Sequence, residues 1–139
     1  MNLHHRITGS LILVTLVSVS LASPSAAAKK FKEKPYKGQS GLHFVNHESE
    51  EAHGLVVMLS KKATVVTDPN TGFAGPFQNI RGAGTQTVTF SNARPSVAPS
   101  TDDEGGFDIT FRSYKAGLKI KGYYWLDAEG KRLGQKHKP

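Results

Sequence analysis

The chain has 139 residues, a net charge of +7 and no cysteine. The absence of cysteine excludes disulfides, thiolate metal sites, iron–sulfur clusters and cysteine nucleophiles, and it excludes a lipid-attachment cysteine. Once a targeting segment is set aside, the remaining length fits one domain, and a domain of about 100 residues can bury a sufficient core without disulfides.

The first 28 residues have the pattern of a secretory signal peptide. Arg6 precedes an apolar run from Leu11 to Leu21, and small residues fill positions 22–28. The apolar run is shorter than the roughly 20 residues that a membrane-spanning helix needs. We therefore predict a signal peptide over residues 1–28, cleaved within the final alanine run, and a location in the periplasm or outside the cell. An uncleaved anchoring helix is the alternative.

The positive charge lies at the two ends of the mature chain. Residues 29–37 contain five lysines and one glutamate, and two more lysines lie in the last five residues, whereas residues 38–133 contain ten basic and ten acidic side chains. We predict a flexible basic leader over 29–40, a folded domain over 41–134 and a basic tail over 135–139. The basic ends fit electrostatic contact with an anionic envelope, with a solubilising tether as the alternative, and the balanced centre argues against specific nucleic-acid binding.

Short apolar runs separated by Gly, Pro, Asn and Asp predict six or seven strands. In chain order the predicted strands cover 41–47, 54–60, 63–67, 85–91, 107–113 and 118–126, followed by a return strand from Lys131. A further short edge strand is placed around Val97, and turn signals lie at 68–72 and 127–130. Residues 49–63 alternatively fit an amphipathic helix, although an interior glycine and several valines disfavour it.

This series of strands predicts an all-β fold, an antiparallel β-sandwich. In length, strand number and two-residue alternation the chain resembles immunoglobulin-like and fibronectin type III modules in architecture only. The Cys–Trp–Cys pattern of antibody domains is absent, so no functional residue carries over from these families.

Two weak metal patterns occur. His43, His47 and His53 lie beside glutamates, and imidazole with carboxylate is the ligand set of zinc and copper. Residues four apart on a strand are, however, about 13 Å apart, so one ion needs help from a second segment. The acidic turns 67–72 and 100–108 are the candidate calcium loops, although neither matches the twelve-residue calcium-loop pattern. We treat metal binding as the alternative function.

Catalytic signatures are missing. Ser40 is not in a Gly-X-Ser-X-Gly turn, and the glycines at 82 and 84 lack the third glycine of a phosphate-binding loop. The paired carboxylates lie on loops without an evident pocket. We predict a protein that is not an enzyme and has no cofactor.

The predicted strand 118–126 carries the main candidate binding surface. If it forms a hairpin with 107–113, both strands direct one apolar face inward, and their outer faces combine cations with two large aromatic rings. The candidate ligand-binding residues are Arg112, Lys119, Lys121, Tyr123 and Trp125. Such a face suits sugar rings or a protein partner.

The alternative is that Tyr123 and Trp125 are covered by other elements, or that a bulge exchanges the two faces of the strand. On balance the sequence predicts an exported, non-enzymatic binding or structural module that recognises carbohydrate or a protein partner.

Overall fold

The computed structural model describes residues 33–139. The chain divides into two compact units, Met1–Lys34 and Pro35–Pro139, and the first lies almost wholly outside the described residues. The predicted signal peptide 1–28 and the start of the predicted leader also lie outside them. The second unit carries the fold.

Seven strands and no helix make up the regular structure of residues 33–139. The strands are β1 (Gly38–Phe44), β2 (Gly54–Val65), β3 (Phe77–Arg81), β4 (Thr85–Ala93), β5 (Phe107–Ser113), β6 (Ile120–Leu126) and β7 (Arg132–His137). Every pairing between them is antiparallel. The predicted all-β, antiparallel class is confirmed.

The strand β2 joins two groups of strands. Its first half pairs with both β4 and β6. These two strands pair in turn with β3 and β7, respectively. Its last residues, Thr64 and Val65, pair instead with β5, which pairs on its other side with β1. The strand thus passes from one group to the other where its register with β4 shifts, between Met58 and Ala63, and we call residues 60–63 the turn of β2. The predicted strands 54–60 and 63–67 are the two halves of this one strand.

The helix considered for residues 49–63 does not form, because the β-branched run from Gly54 pairs on both sides as a strand. The strand β3 was not predicted, since QNIR shows little apolar alternation. The predicted edge strand at Val97 is a single bridge to Ala52. The turns predicted at 68–72 and 127–130 are present: Asp68 O accepts from Gly72 N, and Asp127 O accepts from Gly130 N.

The predicted hairpin between 107–113 and 118–126 is wrong. The strand β5 pairs with β1 and β2, and β6 pairs with β2 and β7. The short connection after Ser113 therefore crosses from one strand group to the other. Two predicted boundaries also move, since β1 begins at Gly38, inside the predicted leader, and β7 continues to His137, past the predicted end at 134.

One apolar cluster fills the space between the strands. Val88 and Phe90 of β4 and Ile109 and Phe111 of β5 are all buried, in keeping with the two-residue alternation of both strands. Leu55, Val57 and Leu59 of β2 complete the centre of the same cluster. Since both strand groups contribute to it, they share one core.

Candidate functional site

A bulge in β6 decides the position of the predicted aromatic surface. Met58 of β2 is opposite Gly122, but the next residue, Leu59, is opposite Ile120, so Lys121 is an extra residue in β6. An extra residue reverses the alternation of side chains beyond it. Ile120 and Trp125 therefore both face the core, although five positions separate them.

Trp125 is a core residue. It is 0 % exposed, and its ring meets those of Phe107 and Tyr123 edge to face at 6.1 and 6.3 Å. Its indole Nε1 has no hydrogen-bond partner among the described residues. Tyr123 is half-buried and packs edge to face on Phe44. The interpretation of these two rings as an exposed platform is therefore wrong, and the structure shows the alternative, a bulge that exchanges the two faces of the strand and leaves the rings covered.

The three predicted cations are exposed, whereas the two aromatic rings of β6 are turned inward. Lys119 and Lys121 lie at the start of β6, and Arg112 lies on β5 in the other strand group. The structure places these cations at the same end of the domain, where β2 turns between the groups. Ser60 marks this end, since its hydroxyl contacts Gly117 O and Lys119 N.

This end, the basic end, carries cations without carboxylates. It is built from the start of β1, the turn of β2, the end of β5 and the start of β6. Its basic side chains are Lys37, Lys61, Lys62, Arg112, Lys115, Lys119 and Lys121. The segments that form or border it, 36–42, 59–66, 82–90 and 110–124, contain no aspartate or glutamate.

The basic end is electrostatically unpaired within the part of the chain that the structure describes. There, all three ion pairs have histidine as the cation. Arg112 donates through Nε to Gln39 Oε1 at 3.2 Å, a neutral partner. The acidic side chains of loops 48–51 and 102–108 lie at the opposite end, beyond Phe44 and Phe107. The balanced net charge of the domain therefore hides a local excess of cations at the basic end.

Two grooves lie on the basic end. The first, groove A, has a volume of about 250 Å³ and is lined by Lys62, Ala63, Thr64, Gly84, Arg112, Ser113, Tyr114 and Lys115. The second, groove B, has a volume of about 360 Å³ and is lined by Tyr36, Lys37, Gly38, Gln39 and Arg112. Tyr36 and Tyr114 stack on each other with ring centres 4.6 Å apart, and they are 44 % and 42 % exposed.

The predicted histidine site does not assemble. His43 contacts Asp108 and Gly105 O, and His47 contacts Ser100 O and Asp103. His53 lies elsewhere, where its backbone bonds to Leu126 and Ala93. Among residues 33–139, no group of three or more histidine, aspartate and glutamate side chains is arranged to hold a metal ion.

Two of the candidate calcium carboxylates, Asp68 and Asp102, accept hydrogen bonds from groups within their own turns. Asp68 accepts from the backbone of Asn70, and Asp102 accepts from the backbone of Glu104 and the hydroxyl of Ser100. These bonds are the ordinary chemistry of aspartate in turns.

A carboxylate–imidazole pair that the sequence did not suggest lies under β7. Glu48 Oε1 and His137 Nε2 are 2.6 Å apart, and their side chains are only 17 % and 31 % exposed. The imidazole stacks on Tyr123 at 5.2 Å. Burial, and then the negative charge of Glu48, raise the pKa of the Tyr123 phenol above its usual value. The 89-residue separation left no sequence signal for this pair.

The basic end did have a sequence signal. The segment 109–126 contains Arg112 and three lysines without one acid, but counting charge over the whole domain hides this local excess.

No protein-family model, curated protein or solved structure matches this chain. Residues 33–139, the described part of the chain, contain no helix that is long and apolar enough to cross a membrane.

Proposed function

We propose that this protein is an exported, non-enzymatic binding module that attaches to an anionic polysaccharide through its basic end. The observation that carries the proposal is the segregation of charge. Seven cations lie at one end of the domain, with no carboxylate in the segments that build it. A surface of one sign attracts an oppositely charged polymer and raises the rate of association.

Export rests on the sequence. The signal-peptide pattern of residues 1–28 supports a location in the periplasm or outside the cell. Anionic polymers of the envelope and matrix are available there. The basic leader adds three further lysines, at 29, 30 and 32, directly before the described part of the chain.

The β-sandwich architecture is part of the same proposal. Two strand groups share one core and are joined through β2, and the paired faces of both groups contribute buried side chains. This supports two packed antiparallel layers, the arrangement common to many secreted binding modules.

A binding experiment with matched charge tests the function. Retention of the purified protein is measured on immobilised polyuronate and on neutral dextran over a series of salt concentrations. We expect retention on the polyuronate alone, and we expect it to fall as salt rises.

Two double variants separate the basic end from net charge. Lys62→Gln with Lys115→Gln removes two cations of the basic end, whereas Arg94→Gln with Lys131→Gln removes two exposed cations outside it. At about 1 kcal/mol per cation near an anionic surface, the first pair should weaken binding by about tenfold or more. The second should change binding much less. Equal losses in both, or no binding to the polyuronate at all, would contradict the proposal.

A further inference from the structure

Grooves A and B adjoin on the basic end. Arg112 belongs to the lining of both. Tyr114 lines groove A and Tyr36 lines groove B, and the two rings are stacked nearly parallel, at 14°. One guanidinium and one ring pair therefore connect the two grooves, which together make an extended cleft across β5.

Arg112 is oriented at the centre of this cleft. Gln39, Arg112 and Thr64 are opposite one another on the adjacent strands β1, β5 and β2. The bond from Arg112 Nε to Gln39 Oε1 holds one edge of the guanidinium. The two terminal nitrogens are left as the remaining donors, and among residues 33–139 no carboxylate pairs with them. Two parallel N–H donors match the two oxygens of a carboxylate.

The floor of groove A is largely apolar. Ala63 and Gly84 lie in it, and the position where a Cβ of Gly84 would stand has no atom within 4 Å. The carbon stems of Lys62 and Lys115 border the groove, with their charged ends available to solvent. An apolar floor with a cationic rim suits a sugar ring that bears a carboxylate, because the ring places C–H groups against the floor. A polyphosphate has no such apolar face.

The size of the grooves sets the kind of ligand. Small-molecule sites typically measure about 300–1,000 Å³. Groove A, at about 250 Å³, is just below this range and groove B, at about 360 Å³, is at its lower end, so each fits a ring-sized group. Two such sites joined at Arg112 suit neighbouring units of one chain.

We propose that the cleft is a subsite for a chain of carboxylate-bearing sugars, a polyuronate, with one carboxylate held by Arg112. The neighbouring carboxylates face Lys62 and Lys115 in groove A and Lys37 in groove B. This inference rests on the proposed function. It adds the class of ligand, and it adds that Arg112 recognises the shape of a carboxylate as well as its charge.

Calorimetry with oligouronates of one to six sugars tests the cleft. Affinity should rise steeply from one sugar to three or four and then level off, because the cleft is then filled. Neutral oligosaccharides of the same lengths should not bind, and linear polyphosphate of equal charge should bind more weakly.

The variant Arg112→Lys keeps the charge and removes the paired donors. It should lose at least tenfold in affinity for the oligouronates and little for polyphosphate. Arg94→Lys makes the same exchange at an exposed arginine outside the basic end, and it should bind as the parent does. Gln39→Met removes the partner that orients Arg112, and it gives a second reading if the first variant is poorly folded.

The outcomes separate the two proposals. If no anionic polymer binds, the proposed function fails. If the polyuronate binds but Arg112→Lys and Gln39→Met both match the parent, the basic end acts by diffuse charge and the cleft is overturned. Equal or tighter binding of polyphosphate would overturn the sugar assignment.

Discussion

Gly134 has a backbone conformation and a neighbour that both require glycine. Its φ is +70°, in the left-handed region that residues with a Cβ adopt at a cost. A Cβ at this position would overlap the carboxylate of Glu48, which is the group that pairs with His137. The conformation at Gly134 thus lets β7 pass over Glu48 and bring His137 to it.

We predict that Gly134→Ala destabilises the protein more than Gly130→Ala does. Gly130 also has a positive φ, +78°, but nothing lies within 4 Å of its Cβ position. The control variant Gly130→Ala therefore loses only the free energy of the backbone strain, about 1–2 kcal/mol. Gly134→Ala also displaces the Glu48 carboxylate from its contact with His137, and it should therefore cost more in the free energy of unfolding, measured with urea. Equal costs for the two variants would show that the Glu48 contact does not matter.

Trp125 shows how one residue limits sequence-based prediction. Strict alternation from Leu118 places this ring on the same side as the lysines, and the single extra residue Lys121 places it in the core instead. A bulge has no strong composition signal. The individual side chains of β4 and β5, which have no such bulge in their central pairs, were predicted correctly.

At the scale of elements, two histidines hold an acidic loop, residues 99–106, against the end of β1. Both ring nitrogens of His43 face acceptors, the Asp108 carboxylate and Gly105 O, each at 2.8 Å. Only the protonated imidazole donates to both. The hydrogen bond to Asp108 and then that to Gly105 O raise the pKa of His43 above its ordinary value.

This geometry predicts a loss of stability with rising pH. Because the pKa of His43 is higher in the folded state, its contribution is fully present below the unfolded value of about 6.5. The contribution is lost as pH rises through the folded value. Urea unfolding and amide exchange of the acidic loop, followed from pH 5 to pH 8, should show this loss in the parent.

The variant His43→Gln should flatten that component of the pH dependence, and His53→Gln, which is remote from the loop, should retain it. An unchanged pH profile in His43→Gln would show that His43 does not cause the loss of stability with rising pH.

The existence of the strands was predictable, but their partners were not. Two-residue alternation and turn residues predicted most of the elements, since both are local properties of the chain. The pairing of β5 with β1 depends on residues more than 60 positions apart, and a short connection such as 114–119 fits a hairpin as well as a crossing. The basic end is a product of that pairing, so its assembly from four segments was not visible in the sequence.

For the whole molecule, β2 is the element that makes the two strand groups one cooperative unit. It pairs with β4 and β6 before its turn and with β5 after it, and one apolar cluster receives side chains from both groups. Neither group has a separate core to support it alone, and a domain of this size usually unfolds in a single transition.

We therefore predict that Trp125 emission and far-ultraviolet circular dichroism report the same urea midpoint. In the native protein the emission should be blue-shifted and protected from iodide, since the ring is buried.

Ser60→Ala removes the hydroxyl that contacts Gly117 O and Lys119 N at the turn of β2. It should lower the free energy of unfolding by about 1–2 kcal/mol, so that both urea midpoints fall together. Ser96→Ala, which removes one exposed hydrogen bond to Glu51, should change the free energy of unfolding by no more than about 0.5 kcal/mol. Two separate midpoints, in the parent or in Ser60→Ala, would mean that the strand groups unfold independently and that the basic end is not held by one cooperative fold.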